Sequence, residues 1–158
     1  MKGIIYLVFI SIVTGCASIG THENTAELIE RGVMYAANGQ FELAIIEYSR
    51  AIEINPDNAE AHNSIGNVYF MQGQYGKAAA EYNKAIEQNP EFAKAHNNLG
   101  YTYFQQKQYE RAILEFSKAI VDMPKYARAY NNRGLVHFVT GEYDRAILDF
   151  DRAIDVDP

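Results

Sequence analysis

The chain has 158 residues, 48% of them hydrophobic, enough to bury one sizeable core, so one folded unit is the starting expectation. Its net charge of −6 comes from 14 basic and 20 acidic residues mixed along the chain, which excludes the basic face that nucleic acid needs and leaves no polybasic segment for anionic lipid. Cys16 is the single cysteine, so no disulfide can form within the chain.

The first element in chain order is a leader. Lys2 supplies a positive charge, Gly3 to Val13 are apolar except for Ser11, and Thr14, Gly15 and Cys16 follow, which is the form of a secretory signal. As a helix the apolar stretch would span roughly 16 Å against a hydrocarbon core of about 30 Å, too short for a comfortable transmembrane anchor. Val13-Thr14-Gly15-Cys16 resembles the bacterial lipobox, in which an aliphatic residue and two small residues precede the cysteine that is lipidated and becomes the mature N-terminus. The alternative is an ordinary signal peptide with an incidental cysteine, cut elsewhere, for example after Ala17. On the lipoprotein reading, residues 1–15 are removed, Cys16 carries the lipid and residues 16–24 form a short polar tether. Several acyl chains, at about 0.8 kcal/mol per buried methylene, would make release from the bilayer negligible. The resemblance also implies an address in the cell envelope. Ala17 stands where an Asp would favour retention in the inner membrane, which leans toward the outer membrane facing the periplasm.

From Thr25 onward the chain repeats. Prolines occur only at Pro56, Pro90, Pro124 and Pro158, each 34 residues after the last. Gly32, Gly66, Gly100 and Gly134 keep the same period, as do Ala44, Ala78, Ala112 and Ala146, and Ala51, Ala85, Ala119 and Ala153. Aromatic residues fill two more columns: Phe41, Tyr75, Tyr109, Tyr143, and Tyr48, Tyr82, Phe116, Phe150. The units are 25–58, 59–92, 93–126 and 127–158. Apolar residues at helical spacing, such as Ala112, Phe116, Ala119 and Ile120, divide each unit into two helices. The predicted pairs are 25–38 with 41–54, 59–72 with 75–88, 93–106 with 109–122, and 127–140 with 143–156. Gly39, Gly73 and Gly141 fall between the halves, where the turn needs φ > 0. Lys107 takes that place in the remaining unit and predicts a more strained turn.

These columns resemble the tetratricopeptide repeat family over Thr25 to Pro158. The resemblance implies an all-α fold, a right-handed superhelical solenoid of four helix-turn-helix units with the first helices lining the concave side. Arg31 and Arg133 depart from the family's usual aliphatic residue before the glycine, and His62 and His96 stand where a large aromatic is common. The family usually ends in an extra solvating helix. Pro158 is reached without one, so Ile147, Phe150 and Ile154 are expected to leave apolar surface at the end of the stack, open to self-association into a homo-oligomer or to a continuing chain.

Reading the family's ligand-facing positions onto this sequence points to Asn63, Asn97 and Asn131, to Asn98 and Asn132, to Phe70, Phe104 and Phe138, and to Lys94 and Arg128 at one edge. Asparagine is a poor residue inside a helix, so this ladder calls for a reason. Its amides could pair with a peptide backbone while the rings hold apolar side chains, or they could bond between units. The family also contains a clamp for a peptide's terminal carboxylate. Asn67, Asn98 and Arg128 fall on three of its positions, but Asn63 and Asn132 stand where it needs Lys and Arg, which removes most of the charge-assisted bonding.

His62, His96 and His137 fall in packing columns rather than at metal-ligand spacing, and no nucleophile triad or phosphate-cradling loop stands out. Paired acids such as Asp149 and Asp151 read as solvated helix faces. The expectation is therefore a binding protein with no cofactor, metal or catalytic site, whose partner is a peptide or a protein subunit. Small lipoproteins with these repeats resemble assembly factors for pili and secretion pores and adaptors of cell-wall enzymes, and a self-associating structural spacer is the alternative.

Overall fold

The computed structural model describes residues 24–157. The leader, Cys16 and nearly all of the tether lie outside the described residues, as does Pro158. Among the described residues there are eight α-helices and no strand. They are α1 (Thr25–Ala37), α2 (Phe41–Ile54), α3 (Ala59–Met71), α4 (Tyr75–Gln88), α5 (Ala93–Gln105), α6 (Tyr109–Asp122), α7 (Ala127–Val139) and α8 (Tyr143–Val156). None is long and apolar enough to cross a membrane.

The second helices end where the apolar spacing predicts. The first helices stop one residue sooner, because Asn38, Gln72, Gln106 and Thr140 serve as C-caps. After α1, the Gly39 N–H bonds to the Ala36 carbonyl at 3.0 Å and the Gln40 N–H to the Tyr35 carbonyl at 2.9 Å. This is a Schellman closure, which requires a left-handed residue at its centre. The same two bonds recur after α5 at 2.9 Å each, from Lys107 to Phe104 and from Gln108 to Tyr103. Lys107 is forced to φ 60°, the one non-glycine residue with positive φ among those described.

Each unit is a tightly packed helix pair, and each second helix packs on the first helix of the next unit. First helices of adjacent units also meet, α1 with α3, α3 with α5 and α5 with α7, whereas among the described residues no two second helices touch. The first helices therefore form the inner, concave layer and the second helices the outer one. The glycine column closes each pair. A Cβ on Gly66 would lie 2.6 Å from the Tyr82 ring, so the ring occupies the space that any other residue would fill. Tyr82, Phe116, Leu28 and Leu99 are the largest fully buried side chains, each worth about 1.5–3 kcal/mol of transfer free energy.

The departures at Arg31, Arg133, His62 and His96 turn out to be two halves of one arrangement. Each unit carries one acid in the same column: Glu47, Glu81, Glu115 or Asp149. In the outer units its cation is the arginine before the glycine, Arg31 to Glu47 at 2.6 Å and Arg133 to Asp149 at 2.7 Å. In the inner units it is a histidine three residues earlier in the helix, His62 to Glu81 at 2.8 Å and His96 to Glu115 at 2.6 Å. Where the arginine is used, the histidine position holds Leu28 or Tyr130; where the histidine is used, the arginine position holds Ile65 or Leu99. The reading of Asp149 as a solvated acid is thereby corrected. It is only 6% exposed and receives two hydrogen bonds from the Arg133 guanidinium.

Candidate functional site

The concave layer opens into a trough of ≈ 920 Å³ that runs from α3 across α5 to the start of α7. Asn63, Asn67 and Phe70 reach it from α3, Lys94, Asn98 and Tyr101 from α5, and Tyr126 and Arg128 from the start of α7. Helical spacing brings Lys94, Asn98 and Tyr101 to one side of α5, since residues three and four apart are neighbours on a helix.

The structure separates the asparagines. Asn63 and Asn97 are 7% and 2% exposed, which corrects the expectation of an exposed ladder. Asn98, half-buried, donates to the Asn63 side-chain oxygen at 3.0 Å and to that of Asn67 at 3.1 Å. Asn132 donates to Asn97 at 2.9 Å. The ladder therefore stitches one unit to the next, the second of the two roles open to it. The physical reason is position. These residues sit where consecutive first helices face each other, and a buried amide is stable only when bonded. Asn67 also accepts the Tyr82 hydroxyl at 2.8 Å. Among the described residues the amide nitrogens of Asn63 and Asn67 and the side-chain carbonyl of Asn98 make no side-chain bond. These groups border the trough and can still meet a peptide backbone.

The phenylalanines separate as well. Phe70 and Phe104 are half-buried rather than exposed, and Phe138 alone stands out, 55% exposed. The rings form a row across two units: Phe70 lies 5.3 Å from Tyr75 and 5.5 Å from Tyr101, and Tyr101 lies 6.0 Å from Phe104. Such pairs are worth about 0.5–1.5 kcal/mol beyond area burial, so the row is partly structural. Phe70 borders the trough, while Asn97, Asn131, Asn132, Phe104 and Phe138 lie outside its lining. Lys94 and Arg128 are exposed on it, and Glu60, one unit earlier in the same column, lines it with them.

Four rings of the trough wall lie outside the positions carried over from the family: Tyr82, Phe92, Tyr101 and Tyr126. Phe92 and Tyr126 had a readable signal. Asn24 and Asn58 cap α1 and α3, each accepting a backbone N–H at 2.9 Å. At the same place in the next two units stand Phe92 and Tyr126, with no side-chain cap. Burial raises the Tyr126 hydroxyl pKa, with the Arg128 charge opposing, so the phenol stays protonated. On the opposite, outer side, both ring nitrogens of His96 have oxygen partners, Glu115 and the Pro90 carbonyl. Among the described residues no group of three His, Cys, Asp or Glu side chains is placed to hold a metal ion.

A model of the TPR repeat matches residues 32–73, 66–107 and 100–141, and a model of the tetratricopeptide repeat matches 127–158. No curated protein sequence matches the chain. The fold is similar to a crystal structure of MamA at 27% identity and a TM-score of 0.75, covering 86% of this chain and 80% of that one. It is similar to PilF of Pseudomonas aeruginosa at 27% identity and a TM-score of 0.79, over 84% of this chain but only 61% of that one. The first TPR domain of Spaghetti (RPAP3), solved with a bound HSP90 peptide, shares the fold at 21% identity and a TM-score of 0.69, covering 75% of this chain and 94% of that one.

Proposed function

The chain belongs to the tetratricopeptide repeat family, and on that footing we propose that it is a protein-interaction scaffold holding a segment of a partner in the trough across its second, third and fourth units. The observation that carries this reading is the composition of the trough. Aromatic faces at Phe92, Tyr101 and Tyr126, unspent amide groups at Asn63, Asn67 and Asn98, and the cations Lys94 and Arg128 converge on one open channel. Rings take apolar side chains, amides take backbone groups, and the two cations favour a segment carrying acids near one end. The RPAP3 domain is a likeness of fold alone, and its bound peptide belongs to that protein.

In the same proposal a lipid on Cys16 tethers the scaffold in the bacterial envelope, on the outer membrane facing the periplasm. There it would assist assembly of a pilus, a secretion pore or cell-wall machinery. The support is the Val13-Thr14-Gly15-Cys16 motif and the short polar stretch after it. Growth with an alkyne-labelled fatty acid should label the chain and leave the Cys16→Ser variant unlabelled and out of the membrane fraction. Label retained on that variant would remove Cys16 as the anchor.

The trough is tested by affinity capture from envelope extract, comparing the parent with the Lys94→Glu, Arg128→Glu double variant. Both residues are exposed, so the fold should be unchanged by circular dichroism. A partner held by the parent and lost from the variant supports the trough; identical capture by the two refutes it.

A further inference from the structure

A smaller pocket lies on the outer side of the third unit, between the start of α5 and α6, and shares no lining residue with the trough. Its volume of ≈ 260 Å³ is below the roughly 300–1,000 Å³ of pockets that enclose a free ligand. That size suits one side chain carried by a larger partner. Pro90 and His96 line it from the α5 end, and Leu114, Lys118, Val121 and Asp122 from α6. Helical spacing brings those four α6 residues to one side.

The charges around this pocket are shared unevenly. Glu115 takes two cations, His96 at 2.6 Å and Lys118 at 2.8 Å. Asp122, two turns further along α6, has no such donor. Its Oδ2 is buried, and the His96 Nε2 that lies 3.8 Å away is bonded to the Pro90 carbonyl instead. Among the described residues the Asp122 carboxylate makes no hydrogen bond at all. It also sits in the last turn of α6, which holds no basic residue. The carbonyl end of a helix favours a cation there, so an acid without a donor is doubly out of place.

The other units are built differently at this point. Val121 stands where they carry the exposed acids Glu53, Glu87 and Asp155, and Asp122 stands where they carry Ile54, Gln88 and Val156. The acid has moved one position along the helix, about 100° around its axis, from open solvent to the pocket. A valine 77% exposed has taken its place, on the same side as Leu114, itself 54% exposed. Three units pack without this arrangement, so packing does not account for it. An unspent carboxylate flanked by exposed aliphatic groups is the complement of a cation on an apolar stem. Arginine fits better than lysine, because its guanidinium is the more weakly hydrated and gives up less on leaving water.

We infer that this outer pocket receives an arginine side chain of a partner protein, with the guanidinium hydrogen-bonded to Asp122 and the methylenes against Leu114 and Val121. The site is independent of the trough and of what the trough holds.

The probes are N-acetyl-arginine methylamide and its citrulline counterpart, which keeps the shape and loses the charge. Each is titrated into the full chain in lipid nanodiscs, and the methyl resonances of Leu114 and Val121 are followed by NMR. The expected result is a saturable shift at millimolar arginine probe, with citrulline binding weaker by roughly fivefold or more. Asp122→Asn should weaken the arginine probe by a similar factor, and Leu114→Ala, read at Val121, by about twofold to threefold. Both substitutions introduce chemistry that the second unit already has in these columns, the amide of Gln88 and the methyl of Ala80, so the fold is retained. The Lys94→Glu, Arg128→Glu trough variant should bind the probe as the parent does, which separates the two sites. Equal binding of arginine and citrulline, or binding indifferent to Asp122→Asn, overturns the inference. So does the absence of a saturable shift, as when another part of the chain fills the pocket. A lysine probe that binds as tightly as arginine overturns the assignment to a guanidinium.

Discussion

His96 Nδ1 lies 2.6 Å from Glu115 Oε2, and His96 Nε2 lies 3.1 Å from the Pro90 carbonyl oxygen. A ring with an acceptor at each nitrogen is best satisfied as imidazolium. Burial alone would lower its pKa, but the Glu115 hydrogen bond, the Pro90 carbonyl and the Glu115 charge outweigh burial and the opposing Lys118, so the pKa lies above its ordinary 6.5. A raised histidine pKa stabilises the fold fully below the unfolded value and loses that contribution as pH rises through the folded one. For Glu115, burial opposes ionisation, and His96 and Lys118 prevail, lowering its pKa below 4.5. Its contribution is present above the unfolded value and fades as pH falls through the folded one. Stability from this pair should therefore be greatest between about pH 4.5 and 6.5 and decline toward pH 8. Urea midpoints measured from pH 5 to 8 check this; a rise across that range would contradict it.

The alternation of cations between units gives a sharper test. His96→Leu alone leaves the buried Glu115 with Lys118 as its remaining partner and should cost about 1–3 kcal/mol. Adding Leu99→Arg transplants the Leu28 and Arg31 arrangement of the first unit. The double variant should recover most of that loss, and its stability should no longer fall between pH 6 and 8, because arginine stays charged. A double variant no more stable than His96→Leu would show that the two positions are not interchangeable.

Lys107 should be improvable. It holds φ 60° at a place where the other units have Gly39, Gly73 and Gly141. A left-handed non-glycine residue costs about 1–2 kcal/mol, of which the greater unfolded-state freedom of glycine returns roughly half. Lys107→Gly should stabilise the chain by about 0.5–1 kcal/mol, read from the urea midpoint at constant m. A neutral or destabilising result would mean that the lysine side chain makes a compensating contact.

Gly66→Ala makes the opposite prediction. Its Cβ would stand 2.6 Å from the ring of Tyr82, itself held by its hydroxyl bond to Asn67. Overpacking of this kind costs about 1–3 kcal/mol. The loss should shrink in a Gly66→Ala, Tyr82→Leu background, whose smaller side chain frees the space; equal loss in both backgrounds would rule out the ring as its source.

Most of the fold is legible in the 34-residue period, because helix pairing, glycine approach and the αL turns are local and repeat in every unit. The candidate site is less so. A column of asparagines reads the same whether it faces solvent or the next unit, and only the packing distinguishes Asn97, at 2% exposure, from the exposed Asn131. Phe104 shows the same limit: the spacing puts it on the inner layer, and Tyr101 beside it is the ring that borders the trough. The ion pairs are not legible in any one departure taken singly. Leu28 with Arg31 and His96 with Leu99 are one exchange written across two columns, visible only when both are compared with the acid sixteen or nineteen residues on.

The replacement of a helix cap by a ring at Phe92 links stability to binding. Asn24 and Asn58 cap their helices, whereas Phe92 leaves the start of α5 without a side-chain cap and lines the trough. Restoring the cap with Phe92→Asn should add about 0.5–2 kcal/mol, offset in part by the apolar burial lost with the ring. Net stability should therefore change by less than about 1 kcal/mol. Binding of the trough partner should nevertheless weaken roughly tenfold or more, as expected when an aromatic anchor is removed. Thermal unfolding and partner titration on the same sample separate the two effects. If affinity is unchanged while stability rises, Phe92 is a defect in the cap and has no part in the trough. If affinity falls at constant stability, the ring has been kept at the helix start for what it contacts.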